Sequence, residues 1–471
     1  MRNFAIRFWI LVCILAVAVL PGLSQGGNQG TVEGFVIDPS GAVLASATAS
    51  LSDAAKGVQL TSPTDKAGRF VFPLVPSGTY TLRVEQQGFT PSETNNLIVA
   101  VGAKISLTVN LNVESAAQHV EVNTEVPVVD TARTTVAESV NARAVAELPV
   151  NGRNFLDFTL LTPGVVRDVR GGDLSFGGQR GTLNSLTIDG TDNNNTFFGQ
   201  SLGRSGSGRA PYQFSQDAVQ EFQVNTSSYA PEFGRAGGAV INVVTKSGTN
   251  QFHGTAFEFF RDRGLNANDE VYSQQRAFFN DGIRSTAPLK PAYHYNQFGG
   301  NVGGPILKDK LFFFFDYDGQ RNNVGIPVSL SLPAATDAAQ AAANQYLLAR
   351  SQTYLTGFNQ DVYLGKVDWH INANNNISVR YNGQRFKGTN LENGGSSSAA
   401  EHTGSSNVNT DTYAGEWNSI ISPRLTNTLR VSYQRDDEPG LANSQNPEAQ
   451  VRSGTTTLLN VGRNNFSPRE T

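Results

Sequence analysis

A chain of 471 residues is long enough for several domains, because single hydrophobic cores rarely grow beyond about 250–300 residues. Its 36 basic and 40 acidic residues nearly cancel, which argues against a nucleic-acid-binding protein, whose footprint is a basic stripe. Only 16% of the residues are charged and 47 are Gly, a balance that favours turn-rich β-structure, since Gly takes the positive φ of tight turns.

At the N-terminus, Arg2 and Arg7 precede an apolar run from Phe8 to Leu20, and Pro21-Gly22-Leu23-Ser24 follow. This is the pattern of a secretory signal peptide over residues 1–24; the run is shorter than the ~20 apolar residues a membrane-spanning helix needs. Cys13, the only cysteine, falls inside it. The mature chain is therefore expected to lack disulfides, Cys-ligated metals and Cys nucleophiles. No later stretch reaches the length of a transmembrane helix, so any crossing of a membrane must use β-strands.

Residues 28–113 form the first expected unit. TVEGFVID and TYTLRVEQ alternate with period two, and PSG (39–41), DKAG (65–68) and PSG (76–78) punctuate them as turns, which predicts a small antiparallel sandwich. The runs GFVIDPSGAVLASATASL and TDKAGRFVFPLVPSGTYTLRVEQQGF, with Gly34, Gly41, Gly68, Gly78, Gly88, Phe70 and Tyr80 in order, resemble the carboxypeptidase regulatory-like domain. That resemblance implies a transthyretin-like sandwich without catalysis of its own; a passive accessory module is favoured over a sugar-binding one.

Residues 114–139 read as an extended polar linker in which Pro127 limits regular structure. Within it, His119–Val126 has the composition of a strand that could add to the sheet edge of a partner, an ordinary linker being the equal alternative.

Residues 140–247 read as a mixed α/β unit: ARAVAELP a short helix stopped by Pro149, SLTIDG and AVINVVTK strands, SQDAVQEFQV a helical turn running into a strand. LPVNGRNFLDFTLLTPGV, NSLTIDGTDNN, VQEFQVNTSSYAPEFGRAGGAVINVVTKSGTN and QFHGTAFEFFRD, in that order, resemble the plug and first barrel strand of TonB-dependent outer-membrane receptors, in particular the Oar-like subgroup with a regulatory-like domain before the plug. NQFGGNVGGPILKDKLFFFFDYDGQR (296–321) extends the resemblance into the barrel.

From residue 248 to 471 the pattern is that of barrel strands. VYLGKVDWHIN sets Tyr363, Val367, Trp369 and Ile371 opposite Lys366, Asp368 and His370; NISVRYNG sets Ile377, Val379 and Tyr381 opposite Ser378, Arg380 and Asn382; LTNTLRVSYQ sets Leu425, Leu429, Val431 and Tyr433 opposite Thr426, Thr428, Arg430 and Gln434. Such alternation, in strands of about ten residues, marks lipid-facing and lumen-facing sides. Eight strands are expected, at 251–261, 293–303, 310–320, 362–372, 376–386, 411–421, 425–435 and 456–466, with connections alternately long and short. A soluble sandwich gives no reason for that alternation; short periplasmic turns and long outer loops do. In the third strand Phe312 and Phe314 share the lumen-side parity of Asp316, and 336–350 reads as a short helix capped by Thr336 or Asp337. Eight strands enclose only side chains, whereas plugged barrels need about 22, so the barrel is expected to be incomplete, and the chain an N-terminal part of a longer receptor. The fold class is thus mainly β: a transthyretin-like sandwich, an α/β plug and a truncated antiparallel transmembrane barrel.

Enzymatic chemistry finds no support. His119, His253, His294, His370 and His402 lack metal-ligand spacing, and HExxH, G-x-S-x-G and Walker A motifs are absent. The run Asp189-Gly-Thr-Asp192 departs from the calcium-loop pattern and reads as a turn. No cofactor is expected. The resemblance implies energised uptake in the outer membrane of a Gram-negative-type bacterium, with the sandwich and plug on the periplasmic side. Its partners would be a TonB-type coupling protein, membrane lipid and a large ligand such as an oligosaccharide, peptide or metal chelate. Val120, Glu121 and Val122 are the candidate TonB contact, and Arg153, Asp189 and Arg235 the candidate polar links between plug and barrel wall, solvated turn residues being the equal alternative. A surface carbohydrate-binding or adhesion protein that transports nothing is the alternative.

Overall fold

The computed structural model describes residues 28–113, 136–167, 174–196, 214–229, 233–267, 290–328, 330, 332, 334–422, 425–464 and 469–470. The signal-peptide reading at 1–24 and the candidate contact Val120, Glu121 and Val122 lie outside the described residues. Strands β1 (Gly30–Ile37), β2 (Thr48–Asp53), β3 (Val58–Pro63), β4 (Arg69–Val75), β5 (Gly78–Glu85), β6 (Ser92–Val99) and β7 (Lys104–Asn110) make two sheets, ordered β4-β1-β7 and β3-β2-β5-β6. Alternate residues turn inward along each strand, so Val32, Val36, Leu51, Phe70, Phe72, Tyr80, Leu82 and Val84 share one core. The expectation of a wholly antiparallel unit is corrected: β1 and β7 run parallel, from Thr31 opposite Lys104 to Ile37 opposite Asn110. Alternation reveals which face of a strand is buried but not its direction.

The second unit comprises β8 (Val136–Val140), α1 (Ala142–Glu147), β9 (Val165–Arg167), β10 (Leu174–Phe176), β11 (Ser185–Ile188), β12 (Thr191–Asp192), β13 (Val219–Ser227) and β14 (Val240–Thr245). Its main sheet runs β12-β11-β14-β13-β8, and the Asn141 side chain caps α1 by accepting from the Ala144 N–H. The linker expected over 114–139 gives up its last four residues to β8. VAESV is too short and polar to announce itself, and its strand state comes from the ladder with β13, where Val140 lies opposite Phe222. Along β13, Phe222 and Val224 enter a core with Phe155, Phe158, Phe214 and Ile241, while Glu221 and Gln223 point the other way, toward Val101 of the first unit. Phe155 meets Phe222 edge-on at 5.8 Å and Phe214 at 6.3 Å. Truncating fully buried Phe222 to Ala is expected to cost about 3–5 kcal/mol through lost burial and the cavity left behind. Hydrogen exchange across β13 and β14 would read this as faster opening; unchanged protection would contradict the packing.

The third unit is one long antiparallel sheet. Its strands are β15 (His253–Asp262), β16 (Tyr293–Leu307), β17 (Leu311–Ile326), β18 (Tyr354–Asn372), β19 (Asn375–Glu392), β20 (Gly404–Ser422) and β21 (Leu425–Glu438), paired in chain order. The short β22 (Gly440–Ala442) pairs with β20, and β25 (Arg469–Glu470) with β21. The sheet is open: β15 and β21 are not paired with each other. The expected faces hold. Val367, Trp369, Val379, Leu429, Val431 and Tyr433 are exposed, while Lys366, Arg380 and Asn382 are buried on the other side. Phe312 and Phe314 lie on the inner face with Asp316, and Phe314 joins Leu364 in the core of the second unit.

Two expectations about strands are corrected. Several strands reach 14 to 19 residues because polar stretches such as Asn322–Asn323 and Thr356–Gly357 continue the ladder; pairing requires only backbone, whereas the alternation that marks a strand in sequence stops where the apolar band stops. The proposed eighth strand, 456–466, is not part of this sheet. Thr456–Val461 (β24) pairs with Ala449–Ser453 (β23) in a separate hairpin, whose Leu459 and Val461 pack against Ala399. Helix α2 (Ala338–Arg350) forms in the connection before β18, with Asp337 as its cap.

Candidate functional site

Asp189 and Gly190 form the two-residue turn between β11 and β12, with φ of 48° and 74°. Positive φ at both central residues is what a tight hairpin of this hand demands, hence Asp-Gly. The turn carries the Asp189 carboxylate against β14, where it accepts from the Thr245 N–H at 2.9 Å and the Thr245 hydroxyl at 2.8 Å. From the inner face of the large sheet, Lys366 Nζ approaches to 3.7 Å and Arg380 Nε to 3.3 Å. Both cations are almost fully buried, with side-chain exposures of 7% and 2%. Lys366 also donates to Thr245 Oγ1 at 3.1 Å, and Arg380 to Thr191 Oγ1 and the Ile188 carbonyl. Burial pushes the Asp189 carboxyl up, but Lys366, Arg380 and the two Thr245 bonds outweigh it and hold the group below the usual range.

Beside this cluster the first unit is wedged in. Asn28 donates to Glu416 Oε2 at 3.1 Å and Gln29 to Glu416 Oε1 at 3.3 Å, while Arg430 bonds both Glu416 and Asn28 Oδ1. Gly190 admits this arrangement, since a Cβ there would lie 2.6 Å from Arg430 Nε. Elsewhere the Val101 N–H donates to Glu221, and the Asn250 N–H to the Ala55 carbonyl. Burial holds the Glu221 carboxyl up, against the pull of Ser77 and the Val101 N–H. Burial also pushes the Lys56 ammonium down, against Asp53. A cavity of about 110 Å³ lies at the meeting point, lined by Asn28, Lys56, Asp189, Lys366, His370 and Glu416 among others. It is large and polar enough to hold water.

A second seam runs along β21. Asp436 accepts from the Thr196 N–H and hydroxyl at 2.7 and 2.8 Å, Asn195 donates to Glu438, and Gln434 to the Asn194 carbonyl. On the other flank Ser215 donates to Asp318 of β17 at 3.3 Å.

Of the three polar candidates for linking the second unit to the sheet, Asp189 lies between the two. Arg153 does not make its ion pair across the seam. Its charge partner is Asp217 of the same unit, and its guanidinium reaches β15 only over the rings of Phe257 and Phe259, 4.7 and 4.4 Å away. Arg235, largely exposed, pairs at 2.7 Å with half-buried Asp192 of its own unit. Sequence reasoning missed Glu416, Arg430, Asn28 and Lys56 as participants. Period-two alternation had placed Lys366 and Arg380 on the inner face, but nothing in it says which carboxylate they meet. Among the described residues, no group of His, Cys, Asp and Glu is arranged to hold a metal ion.

Long antiparallel strands, apolar outward and polar inward, with a separate α/β unit seated on the inner face, define the class of outer-membrane β-barrel proteins. The model of the outer membrane beta barrel domain matches residues 244–354 and 327–470, and that of the carboxypeptidase regulatory-like domain residues 31–112. The TonB-dependent transporter Oar of Myxococcus xanthus is 28% identical over 390 residues, covering 79% of this chain and 35% of Oar. The chain is thus a homologue of the TonB-dependent transporter Oar that carries an outer membrane beta barrel domain, and its location is the outer membrane of a Gram-negative-type bacterium. It spans about a third of that relative's length. Among solved structures, the outer membrane transporter YddB from Escherichia coli overlaps it with a TM-score of 0.47 at 13% identity, covering 70% of this chain and 42% of YddB. The siderophore receptor PirA from Acinetobacter baumannii does so with a TM-score of 0.44 at 17% identity, covering 73% and 44%.

Proposed function

We propose that this chain supplies the periplasmic sandwich, the plug and the first wall strands of an energised transporter for a large ligand. The observation that carries the reading is the Asp189 cluster: a separately folded unit is held to the inner face of a membrane-type sheet by charges buried from water. An adhesion protein has no use for such a unit, whereas a transporter needs a stopper that is both held and releasable. Oar is described as a TonB-dependent transporter, and the same partner is proposed here, recruited through Val120, Glu121 and Val122. Strand addition at that segment would place its pull directly upstream of β8, the edge strand of the plug sheet. Large ligands, oligosaccharide, peptide or metal chelate, are the proposed cargo, and catalysis is not part of the proposal.

Deleting residues 119–126 from the complete gene product should abolish energised uptake of the ligand while cells bind it as before. Growth of a chromosomal deletion strain on defined carbon and iron sources, complemented with either form, identifies the ligand and reads both quantities. Uptake that persists without 119–126 overturns the assignment of that segment; loss of binding together with uptake would show a folding role instead.

A further inference from the structure

The outer face of the large sheet carries a duplicated side-chain unit. Tyr317-Asp-Gly-Gln-Arg321 in β17 is repeated as Tyr381-Asn-Gly-Gln-Arg385 in β19. The strand after each supplies the same partners, Asp361-Val-Tyr363-Leu-Gly365 in β18 and Asp411-Thr-Tyr413-Ala-Gly415 in β20. The two copies also share their geometry. Tyr317 donates to Asp361 Oδ1 at 2.7 Å and Tyr381 to Asp411 Oδ1 at 2.7 Å. Arg321 Nη2 reaches the same Asp361 oxygen at 2.8 Å and Arg385 Nη2 that of Asp411 at 2.7 Å. In each copy Nη1 bridges two backbone carbonyls: Gln320 and Gln360 at 2.8 Å in the first, Gln384 at 2.8 Å and Thr410 at 3.1 Å in the second. The rings of Tyr317 and Tyr363 lie 5.3 Å apart, and those of Tyr381 and Tyr413 5.0 Å. The glycine in each copy is required, because a Cβ at Gly319 or Gly383 would meet the hydroxyl of Tyr317 or Tyr381 at 2.7 or 2.5 Å.

The position of these units gives them a meaning. Below them the outward face is apolar, save for Asn427, for about nine residues of strand, from Tyr363 to Ile371 and from Tyr433 back to Leu425, the length that spans the hydrocarbon of a bilayer. The tyrosines sit where that band ends, at the level where amphipathic rings meet headgroups. Immediately beyond, cations and anions alternate across strand boundaries: Arg321 bonds Asp361, Asp361 lies opposite Arg385, Arg385 bonds Asp411, and Asp411 lies opposite Arg435. Lys387 adds a further exposed cation on the same face. Exposed ion pairs contribute little to stability, so three hydrogen bonds around each guanidinium are better explained by preorganisation than by folding. Arg321 and Arg385 remain 34% and 43% exposed while held in one orientation. A fixed guanidinium face matches phosphate oxygens, whose charge-assisted bonds it can make without first losing side-chain freedom.

We propose that the two Tyr-x-Gly-Gln-Arg units, with Lys387 and Arg435, form a binding surface for the phosphates of a phosphorylated glycolipid headgroup at the outer-leaflet boundary. The inference rests on the outer-membrane location of the chain and is independent of what the receptor transports. Purified complete receptor in detergent would be titrated with diphosphorylated lipid A, with its dephosphorylated form, and with inorganic phosphate as competitor. The expected result is that Arg321→Gln/Arg385→Gln lowers affinity for the diphosphorylated lipid by about tenfold or more, that the dephosphorylated lipid binds both proteins equally weakly, and that inorganic phosphate competes poorly. Lys387→Gln/Arg435→Gln, at exposed positions, provides the same readout should the first variant fold badly. Equal affinity of wild type and both variants for the two lipids would overturn the proposal. Full competition by inorganic phosphate would also overturn it, showing a free-anion site rather than a lipid surface.

Discussion

Asp189→Ala should markedly loosen the proposed plug. The change leaves Arg380 buried without the carboxylate it pairs with and Lys366 with only Asp368, 3.9 Å away, and removing one partner from a buried ionic cluster costs about 3–5 kcal/mol because a buried charge loses its compensation. It also leaves the Thr245 N–H and hydroxyl without the acceptor they now use. Native-state hydrogen exchange of β11 and β14 in the complete receptor would detect this as local opening, since such segments exchange through sub-global unfolding. Protection equal to wild type at neutral pH would mean that the cluster does not hold the unit in place.

Acid should produce part of the same effect. The folded state depresses the Asp189 carboxyl below its ordinary value of 3.8. Its contribution is therefore fully present above that value and is lost as pH falls through the depressed one. Wild-type protection should fall below about pH 4, and in Asp189→Asn that acid-dependent component should be missing. An identical acid profile in both proteins would contradict the assignment of this carboxylate.

Much of the architecture was legible because it depends on period-two alternation and turn chemistry. The inner placement of Lys366, Asp368, Arg380 and Arg430 follows from parity with Trp369, Val379 and Val431, and the helix after Thr336 follows from its Asp cap. What was not legible depends on partners distant in sequence. β7 runs parallel to β1 because of how the chain returns, which local pattern does not encode. β8 is polar and short, and becomes a strand only against β13. The 456–461 segment has the composition of a wall strand yet closes on 449–453, its sequence neighbour, rather than on the sheet. At the site, Asp189 was singled out along with Arg153 and Arg235, but only the first faces two buried cations. The other two find carboxylates in their own unit, and no spacing rule separates the three cases. The docking of Asn28 and Gln29 against Glu416 joins residues almost 390 positions apart, beyond the reach of any periodicity.

If, as proposed, residues 140–247 are a removable stopper seated in a membrane barrel, the largest effect available is to take that stopper away. Apart from Phe314 and Leu364, which enter the core of that unit, the seams are polar: Asp189 with Lys366 and Arg380, Thr196 with Asp436, Ser215 with Asp318, and a cavity of about 110 Å³ beside them. The wall residues they leave behind, Asp316, Asp318, Asn382, Thr410 and Asp436, are hydrophilic, as the lining of an aqueous lumen is. Planar-bilayer conductance of the complete gene product, with and without residues 140–247, tests this most directly. The prediction is a silent intact receptor and a deletion form that opens wide, persistent, weakly selective channels. A deletion form that inserts into the bilayer and stays sealed, or an intact receptor that already conducts as freely, would contradict the account.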